Sequence, residues 1–549
     1  MKKRIPIGLK SYEKLKNESY YVVDKTLLIK DFLDRGNEVT LITRPRRFGK
    51  TINMSMMTEF FDITKDSKKL FEDTFIMKTD YASELNQYPT IFISFADAKG
   101  DVINLIRQIK VQLQNEYDRF KDVFIDLTEF EENDYHKIKA DLMDNDNGKL
   151  NSAVNALSFL MKILQNYYGK KVMVFIDEYD TPFIEAHVGG FYEDIRNDLA
   201  SMLHTSLKTS TSLQYAMLTG IQRVAKENIF SDLNNLVVCT VKDYEYSQHF
   251  GFTEEETKEM LEYYGLELND EVKLMYNGYQ FGEYAIYNPW SVLNYASRKV
   301  LSPYWVNTSG NKMIRKAMEG RDQSFDRNYE ELIQKGTLET LIHMESSFFE
   351  LNTNENLWGL LVNAGYLTIT QTISVMEGIY TVKIPNKEVQ QEFQNLTAYY
   401  LDVADSDLTL LFSALKRNKK DDFIEKYQKI LLNLPSYHDL KDENSYHVLF
   451  LGMCAWLSSE YEIISNREEG KGRCDIILKA KEKNRISYVF EFKYIKSNNE
   501  VSKEQLSEIA KQAVDQIKNK EYGAGLSDKV IYVGLAHHNK EAFVEWWEN

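Results

Sequence analysis

The chain has 549 residues, enough for three or four domains with cores of their own, and its net charge of −16 argues against a protein that coats nucleic acid through its overall field. Its three cysteines are far apart and form no Cys-x-x-Cys pair, which argues against a zinc site or a disulfide framework. No apolar run reaches the ~20 residues of a membrane span, and Met1–Lys10 lacks the apolar core of a signal peptide. We therefore expect a cytoplasmic protein that does not enter a membrane.

A strand, a loop and a helix follow one another near the N-terminus. The β-prone run Val39–Thr43 is followed by a loop rich in arginine, which ends in Gly49-Lys50-Thr51 before the amphipathic helical pattern Ile52–Phe61. Such an arrangement holds a polyphosphate, because backbone N–H groups and a helix N-terminus face the phosphates, a lysine reaches their outer oxygens and a hydroxyl holds Mg²⁺. We predict that ATP and Mg²⁺ bind here, with contacts to the nucleotide from Arg46, Arg47, Phe48, Gly49, Lys50 and Thr51.

The loop departs from the common G-x-x-x-x-G-K-[ST] pattern at one place. The first glycine of that pattern would fall at position 44, which is Arg44. The loop must therefore begin its turn without a glycine. Because Gly49-Lys50-Thr51 is a short motif that also fits a plain helix start with a surface lysine, the prediction depends on a second element farther along the chain.

That second element is a buried-strand run, Val172–Ile176, that ends on the acidic residues Asp177 and Glu178. An NTPase needs an acid at the tip of a strand to order Mg²⁺ and its water shell, and a neighbouring glutamate can polarise the attacking water. We predict that Asp177 binds the nucleotide's metal together with Thr51 and that Glu178 is the catalytic base. The alternative is a strand that ends in a solvated acidic turn, but the lysine loop upstream favours the NTPase.

Strand and helix patterns alternate through the N-terminal half, which predicts a parallel sheet with helices on both faces and a ligand at the carboxyl ends of the strands. One strand lies between the lysine strand and the carboxylate strand, as in the P-loop branch that places an extra strand between them. In that branch the next strand presents a polar residue to the γ-phosphate, which makes Thr219 a candidate nucleotide sensor, with Arg223 one helical turn beyond. A strand end and a surface arginine explain the same two residues equally well. The strands are predicted at 39–43, 90–95, 172–177, 214–219 and 237–241.

The middle of the chain has weaker signals. Short helical patterns at 250–264 and 270–276, followed by the run 287–293, fit a helical lid. From Asn354 onwards a helix and two strands, at 366–370 and 379–384, have the order of a winged-helix unit. Such units bind DNA or dock other domains, and the modest charge here favours docking. The predicted domains are a P-loop domain at 1–245, the lid at 246–315, a winged-helix-like connector at 316–438 and a C-terminal domain at 439–549.

A second group of charged residues lies in the last hundred residues. A strand that begins at Asp475 precedes the strand 486–494, and because side chains alternate along a strand, Glu491 and Lys493 point to the same face. If the two strands pair, Asp475 lies beside them. Two acids and a lysine form the site of a metal-dependent nuclease, in which carboxylates hold Mg²⁺ against the scissile phosphate and the lysine orients the attacking water. The predicted metal ligands are Asp475, Glu491 and Glu443, and the predicted catalytic residues are Asp475, Glu491 and Lys493.

A hairpin without any chemical function has the same sequence signature. Its exposed face would carry the two acids and the lysine by chance, with Phe490 and Phe492 in the core. The helical pattern that follows presents Gln512 and Gln516, either of which can contact backbone or substrate. Spacing alone therefore leaves both explanations open.

Several stretches taken together resemble a known pair of domains. The N-terminal half resembles the bacterial AAA-ATPase-like proteins, in which the phosphate loop begins Arg-Pro-Arg-Arg-Phe-Gly-Lys, so Arg44 fits that family. The last hundred residues resemble the PD-(D/E)xK nuclease-like domain that is usually found at the C-terminus of these proteins. The first resemblance is carried by Tyr21–Thr26, Arg44–Thr51, Phe175–Asp180, Leu218–Ile221, Leu233–Leu236 and Tyr287–Ser291, and the second by Tyr446-His447, Gly472-Arg473, Asp475, Glu491–Lys493, Gln516 and Val530–Gly534.

The resemblance implies an α/β protein in which an N-terminal P-loop NTPase sheet is joined to a C-terminal restriction-endonuclease-like domain. It implies an ATPase coupled to a nuclease fold, with ATP and Mg²⁺ as cofactors and nucleic acid as partner, DNA being favoured over RNA. We expect ATP hydrolysis to gate phosphodiester cleavage. Two rivals stay open: a nucleotide switch whose C-terminal fold binds nucleic acid or a protein partner without cutting it, and a structural or signalling protein whose ATP site is occupied but slow. The sequence also leaves open whether the protein forms an oligomer.

Overall fold

The computed structural model divides into two compact units. The first consists of Met1–Gly320 and Thr340–Tyr380, and the second of Arg321–Glu339 and Thr381–Asn549. None of the helices in the described part of the chain combines the length and the apolar character that crossing a membrane requires. The residues whose structure is described are 2–222, 235–305, 314, 317, 323–344, 353–390, 393, 403–434, 443–457, 460–469, 472–497, 501–523, 526 and 529–548.

A parallel sheet forms the centre of the first unit. Its strands are β1 (Val39–Thr43), β2 (Thr90–Ser94), β3 (Val172–Asp177), β4 (Leu213–Gly220) and β5 (Leu236–Cys239). Their order in space is β2-β3-β4-β1-β5, and every neighbouring pair runs parallel. Every residue of β1 and β3 is buried, since helices cover both faces of a parallel sheet. This explains why both strands are continuous apolar runs in the sequence.

The predicted strands are present to within two residues at each end, and the predicted α/β class is confirmed. The sheet adds a detail that chain order does not give. The strand that lies between β1 and β3 in space is β4, which carries Thr219, whereas β2 lies at the sheet edge beyond β3. Crossover connections rather than chain order decide which strands are neighbours, so the candidate sensor strand is the one inserted between the lysine and carboxylate strands.

The helix after the phosphate loop is more deeply buried than its sequence pattern predicted. It spans Lys50–Phe61, and nine of its 12 residues are buried, so it is a core helix and not the amphipathic helix expected from 52–61. Met54, Met57 and Phe60 pack in the cluster that also holds residues of the helices before β1 and of the sheet. The helices of this region are α1 (Tyr12–Asn17), α2 (Leu27–Arg35), α3 (Lys50–Phe61), α4 (Lys68–Phe71), α5 (Val102–Arg119), α6 (Glu129–Met143), α7 (Ala156–Tyr168), α8 (Thr181–Gly189) and α9 (Tyr192–Leu207).

In the described residues of the segment predicted as a lid there are three helices and a hairpin. They are α10 (Glu254–Tyr263), α11 (Asp270–Tyr276), β6 (Tyr279–Phe281), β7 (Tyr284–Ile286) and α12 (Pro289–Arg298). The sequence predicted α10 and α11 but neither α12 nor the antiparallel hairpin of β6 and β7. The N-terminus of α12 is well defined, because the Asn288 side chain accepts from two backbone N–H groups of the first turn and Pro289 occupies the first helical position.

The region predicted as winged-helix-like contains a helix and two strands in the expected order. These are α14 (Asn354–Ala364), β9 (Thr368–Ser374) and β10 (Ile379–Lys383), preceded in the chain by α13 (Gln323–Lys335) and β8 (Thr337–Leu341). Gly365 ends α14 in the left-handed conformation, with a φ of 87°. The sequence also predicts a helix at 386–401, and that segment falls largely outside the described residues.

A mixed sheet forms the centre of the second unit. Its strands, in spatial order, are β11 (Tyr461–Glu469), β12 (Gly472–Ala480), β13 (Ser487–Tyr494), β14 (Val530–His538) and β15 (Glu541–Glu548). Only the β13–β14 pair is parallel, and α18 (Lys503–Lys520) makes the crossover between these two strands. A Cβ atom at Gly534 would lie 2.1 Å from the carbonyl oxygen of Ala510, so the glycine lets α18 approach the sheet closely. The other helices are α15 (Asp405–Lys416), α16 (Lys420–Asn433) and α17 (Glu443–Cys454).

Candidate active sites

The phosphate loop joins β1 to α3 and turns at two residues in its second half. Arg47 has a φ of 73° and Gly49 a φ of 82°. Glycine adopts this left-handed conformation freely, but in other residues the side chain crowds the backbone. The conformation of Arg47 is therefore maintained by contacts around the loop, and the loop forms its turn without a glycine at position 44.

Arg44, which replaces the usual first glycine, is fully buried and anchors the start of the loop. Its guanidinium donates to the backbone carbonyls of Cys239 at 3.1 Å and Glu245 at 3.2 Å, and it lies over the ring of Phe281. Burial lowers the pKa of Arg44 to about 10. The side chain thus connects the loop to the segment that leads into the lid, a structural role that explains a departure from the common pattern.

The Lys50 side chain is buried on the inner side of the loop. Its Nζ donates to the carbonyl oxygens of Arg44 at 2.8 Å and Pro45 at 2.9 Å. Burial lowers the pKa of Lys50, and the nearby carboxylates of Glu178 and Asp177 oppose that shift. Carbonyl oxygens of the phosphate loop therefore hold the ammonium group. Phosphate oxygens of a bound nucleotide can replace them as acceptors.

The other predicted loop residues differ in what their side chains can offer a nucleotide. The ring of Phe48 is fully buried, with its centroid 4.9 Å from that of Tyr279 and 5.0 Å from that of Phe281. Only its backbone N–H is therefore available to a phosphate. Arg46 and Arg47 are partly exposed, and within the described ranges neither has an ion-pair partner. Among the described residues, the guanidinium groups of Arg46 and Arg47 therefore have no carboxylate that neutralises them.

Three predicted residues meet at Asp177, at the carboxyl ends of the strands. Thr51 Oγ1 donates to one carboxylate oxygen at 2.7 Å, and Thr219 Oγ1 donates to the other at 2.6 Å. Asp177 is fully buried. Burial raises its pKa, and the two hydroxyl groups partly offset the rise. A carboxylate and a hydroxyl are oxygen ligands of the kind that Mg²⁺ prefers, so the donor set fits the predicted ion.

The two acids after Asp177 have different surroundings. Glu178 has a φ of 51° and accepts a hydrogen bond from Thr181 Oγ1 at 3.1 Å, with its side chain partly exposed. Asp180 is buried and accepts from the backbone N–H groups of Ile221 at 2.8 Å and Gln222 at 3.0 Å. Burial raises the pKa of Asp180 to about 6. Glu178 therefore faces the accessible side of the site, while Asp180 connects β3 to the end of β4.

A second site lies in the C-terminal sheet, where β12 and β13 pair as predicted. Ile476 lies opposite Phe490 in the register, which puts Asp475 beside Glu491. One Asp475 carboxylate oxygen accepts from the backbone N–H of Phe492 at 2.8 Å. Phe490 and Phe492 are fully buried, as expected of residues that alternate with the charged face. The two acids predicted to bind a metal are therefore neighbours.

Lys493 connects the remaining predicted residues of this site. Its Nζ lies 3.1 Å from a Glu491 carboxylate oxygen and 3.5 Å from one of Glu443. Burial alone would lower the pKa of Lys493, but the two glutamates outweigh it and the pKa is raised. Gln516 of α18 donates to the same Glu491 oxygen, whereas Gln512 is exposed. Of the two glutamines singled out from the sequence, Gln516 is the one that reaches the site.

The other oxygen of Glu491 is the most informative atom of this cluster. Oε2 is buried and has no hydrogen-bond partner among the described residues. Burial, and next the charge of Asp475, raise the pKa of Glu491 to about 7. A buried carboxylate oxygen without a donor is unfavourable unless a proton or a cation satisfies it, so the site fits a bound cation.

The carboxylates form a pair and not a cage. In the part of the chain that the structure describes, no three His, Cys, Asp or Glu side chains are grouped so as to hold a metal ion. Glu443 pairs with Lys493 and does not complete the predicted set of three ligands with Asp475 and Glu491. Two carboxylates still suit Mg²⁺, because this ion commonly keeps several waters and takes one or two carboxylates together with substrate phosphates.

Sequence reasoning assigned no role to two residues that support these sites. Asp180 stands in the same acidic run as Asp177, and that run was the available signal. His447 appeared only as part of a motif, but its Nε2 lies 3.1 Å from the Asp475 carbonyl oxygen and 2.9 Å from Ser465 Oγ. The imidazole thereby supports the backbone at Asp475. Arg223, the second candidate sensor, lies outside the described residues.

Comparisons with known proteins found matches to two parts of the chain. Residues 6–230 match the family described as predicted AAA-ATPase, and residues 441–547 match the PD-(D/E)XK nuclease superfamily. Both resemblances inferred from the motifs are confirmed. A relative from Azotobacter chroococcum mcd 1, named as an uncharacterized protein in the vnfD 5' region, is 27% identical over 400 residues, which cover 71% of this chain and 69% of that protein.

Proposed function

We propose that this chain, which carries an AAA-ATPase-like domain and a C-terminal PD-(D/E)xK nuclease-superfamily domain, uses ATP hydrolysis to control a Mg²⁺-dependent cleavage of nucleic acid. The proposed ATPase activity rests on one observation. The hydroxyl groups of Thr51 in the phosphate loop and Thr219 in β4 both donate to the buried carboxylate of Asp177. The cleavage half rests on the cluster of Asp475, Glu491 and Lys493.

In the ATPase half each residue has a defined task. Lys50 binds the outer phosphate oxygens, and Arg46 and Arg47 offset the negative charge of the polyphosphate. Thr51 and Asp177 hold the metal ion of the nucleotide. Glu178 polarises the attacking water, since its carboxylate stands one residue beyond the strand tip on the accessible side.

In the cleavage half Asp475 and Glu491 hold the cation, and Lys493 orients the attacking water and offsets charge on the scissile phosphate. Gln516 fixes the rotamer of Glu491 by donating to Oε1, the oxygen that Lys493 also contacts, and so leaves Oε2 for the cation. The chemistry that Mg²⁺ supplies when bound is charge neutralisation at the phosphate and a lower pKa for a coordinated water. Without that cation, two neighbouring carboxylates repel a phosphate.

The proposal extends to partners and location. The nuclease-superfamily match supports action on nucleic acid, and DNA is proposed over RNA because the resemblance found in the sequence implies it. A cytoplasmic location is part of the same proposal, because ATP is abundant there and the three cysteines are free and buried, the expected state in a reducing compartment.

The decisive experiment compares the wild type with Lys50→Ala and Lys493→Ala on DNA and on RNA, with Mg²⁺ and with or without ATP. We expect the wild type to cut with Mg²⁺ and ATP, Lys493→Ala to hydrolyse ATP without cutting, and Lys50→Ala to lose ATP hydrolysis together with ATP-dependent cutting. Equal cutting by the wild type and Lys493→Ala would remove the assignment of the cleavage site. Cutting that is indifferent to Lys50→Ala would remove the coupling.

A second candidate function is a nucleotide switch whose C-terminal domain binds nucleic acid or a protein without cutting. The raised pKa of Glu491 supports it, because a carboxyl group that keeps its proton near neutral pH is a poor metal ligand. ATP-dependent binding of DNA without cleavage, under any divalent cation tested, is the result that selects this alternative.

A further inference from the structure

The run Tyr287–Ser291 carries part of the family resemblance, but nothing so far gives it a function. Its asparagine and proline start α12, as described above. That start presents Trp290 in the first turn of the helix, partly exposed and not in the lid core. A tryptophan at this position therefore needs an explanation other than packing of the lid.

Trp290 stacks on the phosphate loop. The guanidinium carbon of Arg47 lies 3.7 Å from the centroid of the Trp290 ring, which is close for a cation–π contact. The ring is held at its nitrogen. Trp290 Nε1 donates to the carbonyl oxygen of Tyr304 at 3.0 Å. The orientation of the ring, and of the guanidinium on it, is thus fixed by the fold.

Stacking uses the flat face of the guanidinium and leaves its N–H edge unused. Among the described residues, no hydrogen bond or ion pair involves the Arg47 side chain. The same residue has the positive φ of 73° that turns the loop. Arg47 belongs to the same loop as Lys50, and the loop sequence from Arg44 to Thr51 contains no carboxylate. Its five donors in one plane match the geometry of phosphate oxygens.

We propose that Trp290 is a positioning residue that presents the Arg47 guanidinium to the polyphosphate of the bound nucleotide and so makes the lid helix α12 sensitive to the phosphate charge. This rests on the proposed ATP binding at Lys50 and Thr51. Because the contact is to phosphate and not to the base, its contribution falls as the number of phosphates falls, from ATP to ADP to AMP.

The test measures binding of ATP and AMP to the full-length chain by calorimetry. Trp290→Leu keeps apolar bulk but removes the aromatic face, Trp290→Phe keeps an aromatic face, and Arg47→Gln removes the cation. We expect Trp290→Leu to weaken ATP binding about fivefold to tenfold, with AMP binding little affected. Trp290→Phe should recover most of the loss. In hydrolysis assays the loss should fall on KM more than on kcat.

The double variant Arg47→Gln with Trp290→Leu separates positioning from general support of the fold. If the tryptophan acts through the arginine, the double variant binds ATP no more weakly than Arg47→Gln alone, whereas independent effects multiply. The matched control is Lys139→Gln. Lys139 lies in α6, outside the lid and the phosphate loop, over the ring of Tyr135 at 5.5 Å, so its loss should leave ATP binding unchanged.

The outcomes distinguish this inference from the function on which it rests. A wild type that binds no ATP overturns the proposed function and this inference together. A wild type that binds ATP while Trp290→Leu binds it equally well overturns the inference alone. Multiplicative losses in the double variant also overturn it. A thermal melt shows whether Trp290→Leu is folded. If it is not, Trp290→Phe and Arg47→Gln provide the test. A positioning role predicts near-wild-type ATP binding for Trp290→Phe and weakened binding for Arg47→Gln.

Discussion

The two candidate sites are built from opposite charges. The phosphate loop itself carries the cations Arg46, Arg47 and Lys50 and no acid, and both oxygens of Asp177 at the end of β3 accept from hydroxyl groups of the protein. The C-terminal site has three carboxylates and one lysine, and one buried oxygen of Glu491 has no partner among the described residues. The buried carboxylate of Asp177 therefore has a donor on each oxygen, and that of Glu491 does not.

This difference indicates how each site meets a phosphate. A cationic loop attracts a polyphosphate by its own charge, so the metal ion can arrive with the nucleotide. An acidic pair repels a phosphodiester until a cation lies between them. ATP binding should therefore tolerate removal of divalent cation better than nucleic-acid binding at Asp475 and Glu491 does.

Glu491→Gln should have the largest effect. The amide keeps the shape of the side chain but removes the charge that holds a cation, so we expect cleavage to fall about 1,000-fold while ATP hydrolysis keeps its rate. Gel assays of cleavage and a phosphate-release assay measure the two activities. Glu462→Gln, which removes a surface partner of Lys479 in the neighbouring strand, is the matched control. Cleavage that survives Glu491→Gln contradicts the assignment of a metal site here.

Glu178→Gln should lower the kcat of ATP hydrolysis about 100-fold or more, because a general base contributes that much. The affinity for ATP should change little, since Glu178 is assigned to the attacking water and not to the phosphates. Calorimetry and steady-state kinetics separate the two quantities. Glu193→Gln in α9, which pairs at the surface with Arg196, serves as the control. A loss of ATP binding equal to the loss of kcat would refute the assigned role.

Metal binding at the C-terminal site should depend on pH. The pKa of Glu491 is raised to about 7, so a cation must displace a proton below that pH. Affinity for Mg²⁺ or Mn²⁺ at the C-terminal site should rise about tenfold from pH 6 to pH 8. In the metal-free protein, folding stability changes with pH in the opposite direction to metal affinity. The folded state holds the proton more tightly, so stability falls as the pH rises from the ordinary value of 4.5 towards 7.

The metal titration is read by calorimetry at both pH values, and stability by urea unfolding. In Glu491→Gln, neither the metal affinity nor the stability should show the pH dependence that the Glu491 proton causes. A metal affinity at the C-terminal site that is the same at pH 6 and pH 8 would show that Glu491 is not a ligand whose proton competes with the metal.

Thr219→Val should have the smallest effect of the four. The substitution removes one of the two hydroxyl donors to Asp177 while keeping the side-chain shape, so the buried carboxylate loses a bond of about 1–2 kcal/mol. We expect hydrolysis to fall about threefold to tenfold, with a matching loss of stability in urea unfolding. Thr40→Val in β1 is the control, because Thr40 is buried in the same sheet and away from Asp177. Equal hydrolysis by Thr219→Val and the wild type would reduce Thr219 to a strand-end residue.

Much of the fold could be predicted because its signals are local. The buried parallel strands appear as continuous apolar runs, and the acids at their ends mark the carboxyl edge of the sheet. The pairing of β12 with β13, which brings Asp475 to Glu491, follows from the same alternation that puts Glu491 and Lys493 on one face. These inferences need only neighbouring residues and the period of a strand.

The remaining features depend on contacts between distant segments, which no short window of sequence contains. The burial of α3 depends on helices that precede β1, and the position of β4 between β1 and β3 depends on crossover connections. Gln516 reaches Glu491 because Gly534 lets α18 approach the sheet. In the loop sequence, Arg44 stands where the common pattern has a glycine. Its structural role depends on hydrogen bonds to the carbonyl oxygens of Cys239 and Glu245, about 200 residues away in the chain.

The buried Arg44 has a consequence for engineering. A designer who compares this loop with the common pattern would restore glycine at position 44 as a repair. That change would remove a guanidinium that donates hydrogen bonds to backbone carbonyls of separate segments. It would also leave a void where the guanidinium packs. The two kinds of loop are alternative solutions to one geometric problem, and a single residue cannot be transferred from one to the other without its supporting partners.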